Sequence, residues 1–236
     1  MVPGMAASAS VPGSSQPALA PAPTLRAPYR IRTARLDVRV YRPADAEELR
    51  TISARNKEHL LPWMPWARLE PEPLEKKLDR ILRFRGSFDL GQDFIYGVFE
   101  PEDGALVGGT GLHPRCGPGG FEIGYWIDHE REGRGYATEV SAALVRVGIE
   151  LLGARRIEIH CEPANVRSTR IPAKLGFTLE GILRARLEVE EGKYRDKAVH
   201  TLLAEEFRAG PLAQTSLACF DALDRPIPFP EPISST

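Results

Sequence analysis

The sequence predicts an α/β protein, a single domain whose central sheet is flanked by helices. Three observations predict it. Runs alternating every second residue, as at Leu36, Val38 and Val40, recur between stretches with apolar residues three and four apart, as at Val140, Leu144, Val147 and Leu151. An apolar run from Phe121 to Ile127 passes through a glycine-rich turn straight into the second kind of stretch. The 236 residues are 42% hydrophobic and 27% charged, the balance of a soluble folded domain.

Taken in order, residues 1–28 are rich in Ala, Pro and Ser and hold no acidic residue. Such a segment buries too little apolar surface to offset its ordering entropy, so it is expected to be a disordered tail. Ile31 to Tyr41 reads as the first strand. Pro43 then opens a helix, where its missing N–H costs nothing, with Ala46, Leu49 and Ile52 on the buried side. Pro73 to Arg85 is a second helix with Leu74, Leu78, Ile81 and Leu82 on one face. Asp93–Glu100 and Ala105–His113 form an antiparallel hairpin around the turn Pro101 to Gly104. Phe121 to Asp128 is the next strand, and Tyr136 to Leu152 is the strongest helix, stopped by Gly153. Arg156 to Glu162 alternates as a strand, and Asn165 caps a helix that ends at Leu175-Gly176-Phe177. Gly181–Glu190 and Tyr194–Ala204 pair across a turn at Glu191-Gly192. From residue 209 to 236 the chain is proline-rich and aperiodic, read as a loosely attached tail. The folded domain is therefore expected over residues 29–208.

The formal net charge of −1 gives no electrostatic case for nucleic acid or an anionic membrane. No apolar run reaches the length of a membrane span. Cys116, Cys161 and Cys219 are too few and too widely spaced for a zinc site or a disulfide framework, which suits a reducing cytoplasm; no metal is expected.

The stretch Glu132-Gly133-Arg134-Gly135-Tyr136-Ala137-Thr138-Glu139 organises the chain. Strand, glycine turn and helix start together hold anions. The glycines let the backbone approach a ligand, and the first helical N–H groups lack partners inside the helix. The stretch has neither the Gly-Lys-Ser/Thr of a nucleoside-triphosphate loop nor the third glycine of a dinucleotide fingerprint.

The stretch does resemble the acyl-CoA pyrophosphate loop of the GCN5-related N-acetyltransferase (GNAT) family, Gln/Arg-x-x-Gly-x-Gly/Ala, with Glu132, Gly135 and Ala137 at the three defining places. Glu132 departs from the usual Gln or Arg and must point away from a pyrophosphate; Arg134 is placed to supply positive charge. A second motif stands at the matching distance downstream: Asn165, Ser168 and Lys174-Leu175-Gly176-Phe177 are similar to the family's Asn-x-x-Ser…Lys-Leu-Gly-Phe element. The opening Thr33-Ala34-Arg35-Leu36-Asp37-Val38-Arg39 and the Leu-x-Pro-Trp-x-Pro-Trp stretch ending at Trp66 resemble the ribosomal-protein-alanine (RimJ/RimL-like) branch. The resemblance spans about residues 30 to 207, within boundary errors of a few residues.

The resemblance implies a mixed central sheet that splays between the Phe121–Asp128 and Arg156–Glu162 strands. The pantetheine arm of acetyl-CoA would lie in that wedge against Ile127 and Asn165. Gly133, Arg134, Gly135, Tyr136, Ala137, Thr138 and Lys174 complete the implied cofactor site. Trp63, Trp66 and Trp126 read either as core packing or as walls of the acceptor pocket. Transfer to an amine needs a base for the amine and an acid for the departing thiolate. Glu122, on the wedge strand, is the expected base and Ser168 the expected acid, since the family's usual helix tyrosine is replaced here by Pro172. That proline also leaves the Ser168 carbonyl without its helical donor, so a kinked helix is expected beside the thioester.

The expected activity is acetyl transfer to a primary amine, a protein N-terminus or a small molecule, by direct attack in a ternary complex, since no activated nucleophile is apparent. Two alternatives remain open: a donor such as succinyl-CoA, and a CoA-binding regulatory module without turnover. Either a monomer or a homodimer is compatible with the sequence.

Overall fold

The computed structural model describes residues 27–230; the expectation for most of the first tail lies outside them. Ten strands form one sheet: β1 (Arg30–Arg32), β2 (Asp37–Arg39), β3 (Phe94–Phe99), β4 (Leu106–His113), β5 (Gly120–Ile127), β6 (Arg156–Cys161), β7 (Thr178–Glu190), β8 (Lys193–Leu203), β9 (Ala218–Phe220) and β10 (Pro226–Ile227). Their order is β10-β9-β1-β2-β3-β4-β5-β6-β8-β7. Every neighbouring pair is antiparallel except β5–β6. The helices are α1 (Ala46–Arg55), α2 (Lys57–Leu60), α3 (Leu74–Asp89), α4 (Tyr136–Arg146), α5 (Val166–Lys174) and α6 (Ala204–Ala209).

Strand alternation divides the core between the two faces of the sheet. Phe94, Tyr96 and Val98 join Val140, Ala143, Leu144 and Val147 on the α4 side. Ile95 and Phe99, one residue out of phase, join Leu49, Ile52 and Ile81 on the α1/α3 side. The fold class is as the sequence implies: helices cover both faces of a mixed sheet.

Three local expectations are corrected. The first strand is two short strands, because Thr33 turns the chain: its N–H donates to Leu36 O at 2.9 Å, and its hydroxyl accepts from Leu36 N at 3.1 Å. The long helix after the glycine turn keeps α geometry to Arg146 and then widens into a π turn over Val147–Leu151. Finally, the segment over residues 210–230 is not loose. β9 pairs with β1 in register Ile31↔Cys219, and Cys219 is buried. Three- and two-residue strands are too short for periodicity to reveal.

One feature of the sheet positions the site. The β5–β6 pairing is confined to Gly120↔Arg156, Phe121↔Ile157 and Glu122↔Glu158, although β5 continues to Ile127. Beyond Glu122 the two strands diverge, leaving the β6-facing edge of residues 123–127 without a strand partner.

Candidate active site

The wedge opens into a cleft of about 550 Å³ walled by the end of β5, the turn into α4, α5, and the segment around α2. Gly133 (φ 75°) and Gly135 (φ 81°) both adopt left-handed backbone, which L side chains resist. Gly135 is the N-cap of α4 and, lacking a side chain, caps nothing. The first N–H groups of α4 thus remain available to a ligand, and Tyr136, Ala137 and Thr138 line the cleft.

The turn is held from outside. Glu139, in the first turn of α4, accepts from Thr33 Oγ1 at 2.6 Å, Arg35 N at 3.0 Å and Arg35 Nε at 2.7 Å. Arg35 Nη1 also donates to Arg134 O at 2.8 Å. The β1–β2 turn therefore braces the cradle, an interaction between segments a hundred residues apart that no local pattern signals. On the other side, buried Asp128 accepts from Asn56 Nδ2 at 2.8 Å and pairs with Arg55, which ties the end of β5 to α1.

Of the expected cofactor residues, Ile127, Gly133, Gly135, Tyr136, Ala137, Thr138, Asn165 and Lys174 all line the cleft. Arg134 does not; it lies 3.4 Å from Glu100. The positive charge comes instead from α5, where Arg170 and Lys174 line the cleft and neither pairs with another described residue. Glu132 is neutralised rather than turned away: His59 Nε2 stands 3.0 Å from one carboxylate oxygen and Arg167 contacts the other. The sequence offered no sign of that pairing, because His59 lies over seventy residues upstream. Unfilled amides, left-handed glycines and two unpaired cations make a site whose chemistry fits a diphosphate.

Trp63 and Trp126 line the cleft. Trp66 packs edge-on against Trp126 at 5.8 Å between ring centres, so it supports the wall rather than forming it.

Ser168 lines the cleft, and its surroundings were not foreseen. The Tyr125 hydroxyl lies 3.0 Å from Ser168 Oγ and 3.2 Å from Ser168 O. Pro172 continues α5 without an N–H, and Tyr125 supplies the donor that the Ser168 carbonyl thereby loses. Burial pushes the Tyr125 hydroxyl above its ordinary pKa, against the opposing effect of its Ser168 hydrogen bond, so it stays protonated.

Glu122 is the expectation that the geometry argues against. It is paired at the closed vertex of the wedge, outside the residues lining the cleft. Arg115 Nε and Nη2 grip both its oxygens at 2.8 and 2.7 Å, and His160 Nδ1 stands 3.1 Å away. Burial raises its pKa, but the Arg115 hydrogen bonds and His160 outweigh that and hold it well below the usual carboxylate range. A carboxylate held so firmly as the anion is a poor proton acceptor. The same cluster brings Cys116, Glu122 and His160 ligand atoms within 4.8 Å of one another. Its chemistry does not suit a cation: burial pushes the Cys116 thiol up to about 12, and Arg115 already occupies both oxygens of the Glu122 carboxylate.

Residues 35–178 match the model of the acetyltransferase (GNAT) domain. The chain is 28% identical over 187 residues to the [ribosomal protein uS5]-alanine N-acetyltransferase of Escherichia coli, covering 77% of this chain and 94% of that protein. It is 28% identical over 178 residues to the putative ribosomal N-acetyltransferase YdaF of Bacillus subtilis, covering 73% and 93%. Among solved structures, Mycobacterium smegmatis RimJ in complex with CoA-disulfide superposes with a TM-score of 0.68 at 26% identity, covering 81% of this chain and 90% of that one.

Proposed function

This chain belongs to the acetyltransferase (GNAT) family, and from that membership we propose that it transfers the acetyl group of acetyl-CoA to a primary amine. The acceptor we favour is the N-terminus of a protein, as the name of the uS5-alanine relative indicates for that enzyme. The observation that carries the reading is the uncapped start of α4 behind Gly133 and Gly135, opening onto a sheet that has parted beside it.

In this reading the α4 amides, Arg170 and Lys174 hold the diphosphate. The free edge of β5 up to Ile127 pairs with the pantetheine arm in the manner of an added strand. Ser168, hydrogen-bonded to Tyr125, delivers a proton to the departing thiolate. Trp63 and Trp126 wall the acceptor. The arrangement supports direct attack in a ternary complex: Cys161, beside the wedge, is buried and its thiol is pushed by that burial up to about 11, so it is a poor acyl-carrying nucleophile. We place the catalytic unit at residues 29–208, braced by β9 and β10. We place the reaction in the cytoplasm, a compartment that suits three free cysteines. No helix among the described residues is long and apolar enough to cross a membrane.

The test is thiol release from acetyl-CoA against a panel of N-terminal peptides and small amines, with succinyl-CoA in parallel. Turnover with acetyl-CoA and an α-amine supports the reading. Coenzyme binding without turnover on any amine would leave a binding module instead.

A further inference from the structure

Glu132 sets a carboxylate at the entrance to a cradle suited to an anion, and the fold answers it from two sides. Glu132 lines the cleft immediately before Gly133, the first left-handed glycine of the cradle. His59, on α2, stands with Nε2 3.0 Å from Glu132 Oε1. Arg167, on α5, contacts Glu132 Oε2. All three residues line the cleft, so Glu132 is held from both of its walls. One of the two partners is a permanent cation; the other carries charge only when protonated.

With His59 neutral, the charges of Glu132 and Arg167 cancel; with His59 protonated, the three residues are net positive. The cancellation is uneven in practice. Glu132 and His59 expose 29% and 30% of their side chains and Arg167 75%, so water screens Arg167 the most. The other charged groups facing this end of the cleft do not reverse the balance. Arg131, from the same segment as Glu132, lies 3.4 Å from Glu100, and Arg170 and Lys174 add fixed positive charge from α5. His129, its ring centre 6.2 Å from that of His59, lies outside the cleft against Asn56 and buried Asp128. Lys57 and Glu58, on the same helix as His59, are of opposite charge and also lie outside the cleft.

We propose that binding of acetyl-CoA is coupled to protonation of His59, whose imidazolium offsets Glu132 beside the diphosphate. The inference rests on the coenzyme site of the reading above. An anion arriving beside His59 favours the charged ring and so raises its pKa. By linkage, the protonated ring raises coenzyme affinity by the same factor. The added affinity is complete below the pKa of the free protein and is lost as pH rises through the pKa of the complex. Near neutral pH, binding therefore takes up part of a proton from solvent. CoA carries the same diphosphate and follows the same rule.

The experiment titrates acetyl-CoA calorimetrically into the full chain as wild type, His59→Gln and Glu132→Gln, with circular dichroism to confirm that each is folded. Phosphate groups of the coenzyme also titrate near neutral pH, so the readout is the difference between proteins. Between about pH 5.5 and 8.5 the wild type is expected to lose roughly three- to tenfold more affinity than His59→Gln, whose side chain takes up no proton. A merely structural role for His59 would change affinity equally at every pH. Glu132→Gln is expected to bind more tightly than the wild type at the high end of the range. Titration in buffers of unlike ionisation enthalpy should show proton uptake by the wild type that His59→Gln lacks. NMR of the wild-type His59 ring should show its titration midpoint rising when coenzyme is added. Parallel pH profiles in wild type and His59→Gln, or a midpoint that coenzyme leaves unmoved, overturn the inference alone. A wild type that binds no coenzyme at any pH defeats the underlying reading, and the inference with it.

Discussion

The Tyr125 hydroxyl sits 3.2 Å from the Ser168 carbonyl that Pro172 cannot serve, and 3.0 Å from the Ser168 hydroxyl itself. A strand residue has taken over a helix hydrogen bond, and in doing so it has fixed a serine at the mouth of the wedge. Tyr125→Phe is expected to cost about 1 kcal/mol of stability by leaving that carbonyl without a donor. Adding Pro172→Ala to it restores an in-helix N–H and is expected to recover part of the loss. Urea denaturation of the two single variants and the double variant measures the coupling. Full additivity would mean that Tyr125 and Pro172 do not share the carbonyl.

A second prediction concerns charge. Arg170 and Lys174 reach the cleft with no anion of their own among the described residues. Arg170→Ala and Lys174→Ala are each expected to weaken coenzyme binding three- to tenfold, about 0.7 to 1.4 kcal/mol. The loss should be smaller at 0.5 M salt, where screening has already weakened the contact. Arg134→Ala, at the position that the sequence favoured, should change affinity much less, because Arg134 lies against Glu100.

The Glu122 cluster makes a pH prediction. The folded-state pKa of Glu122 lies below its unfolded value of about 4.3, so its contribution to stability is present above that value. It is lost as pH falls through the folded value. The stability gap between wild type and Glu122→Gln should therefore be full at pH 6 to 7 and shrink steadily below about pH 4. Denaturant titrations at a series of pH values check this. A gap independent of pH would mean that Arg115 and His160 do not hold the carboxylate as described.

Away from the site, Lys77 is buried against Glu70 and Glu72, and Lys77 and Glu70 expose 1% and 0% of their side chains. Lys77→Met removes the cation from buried Glu70, while Glu72 keeps Arg80, an expected loss of about 3–5 kcal/mol. The midpoint of chemical denaturation reads it directly. A loss under 1 kcal/mol would mean Glu70 reaches water or another cation once Lys77 is gone.

How much of this was legible beforehand depended on distance along the chain. The cradle was legible because it is local: strand, two glycines and a helix start occupy consecutive residues from Phe121 to Thr138, and each implies its geometry by itself. Asn165 as a cap was legible for the same reason, and its side chain does accept from Ser168 N at 3.1 Å. What escaped were contacts across the sheet. His59 and Arg167 on Glu132, Thr33 and Arg35 on Glu139, Tyr125 on Ser168, and Arg115 on Glu122 each need the register of strands that sequence alone does not fix. Glu122 shows the same limit: its strand was legible, while the Arg115 and His160 contacts that decide whether its carboxylate is free were not.

If the α4 amides behind Gly135 grip the diphosphate of acetyl-CoA, coenzyme affinity depends on Gly135. Calorimetric titration of acetyl-CoA into the wild type and into Gly135→Ala, with circular dichroism to confirm that both are folded, tests it most directly. The wild type should bind saturably at one site per chain. Gly135→Ala, forced to strain or abandon a φ of 81°, should bind at least tenfold more weakly. Equal affinity in the two proteins, or no saturable binding by the wild type, would contradict the account.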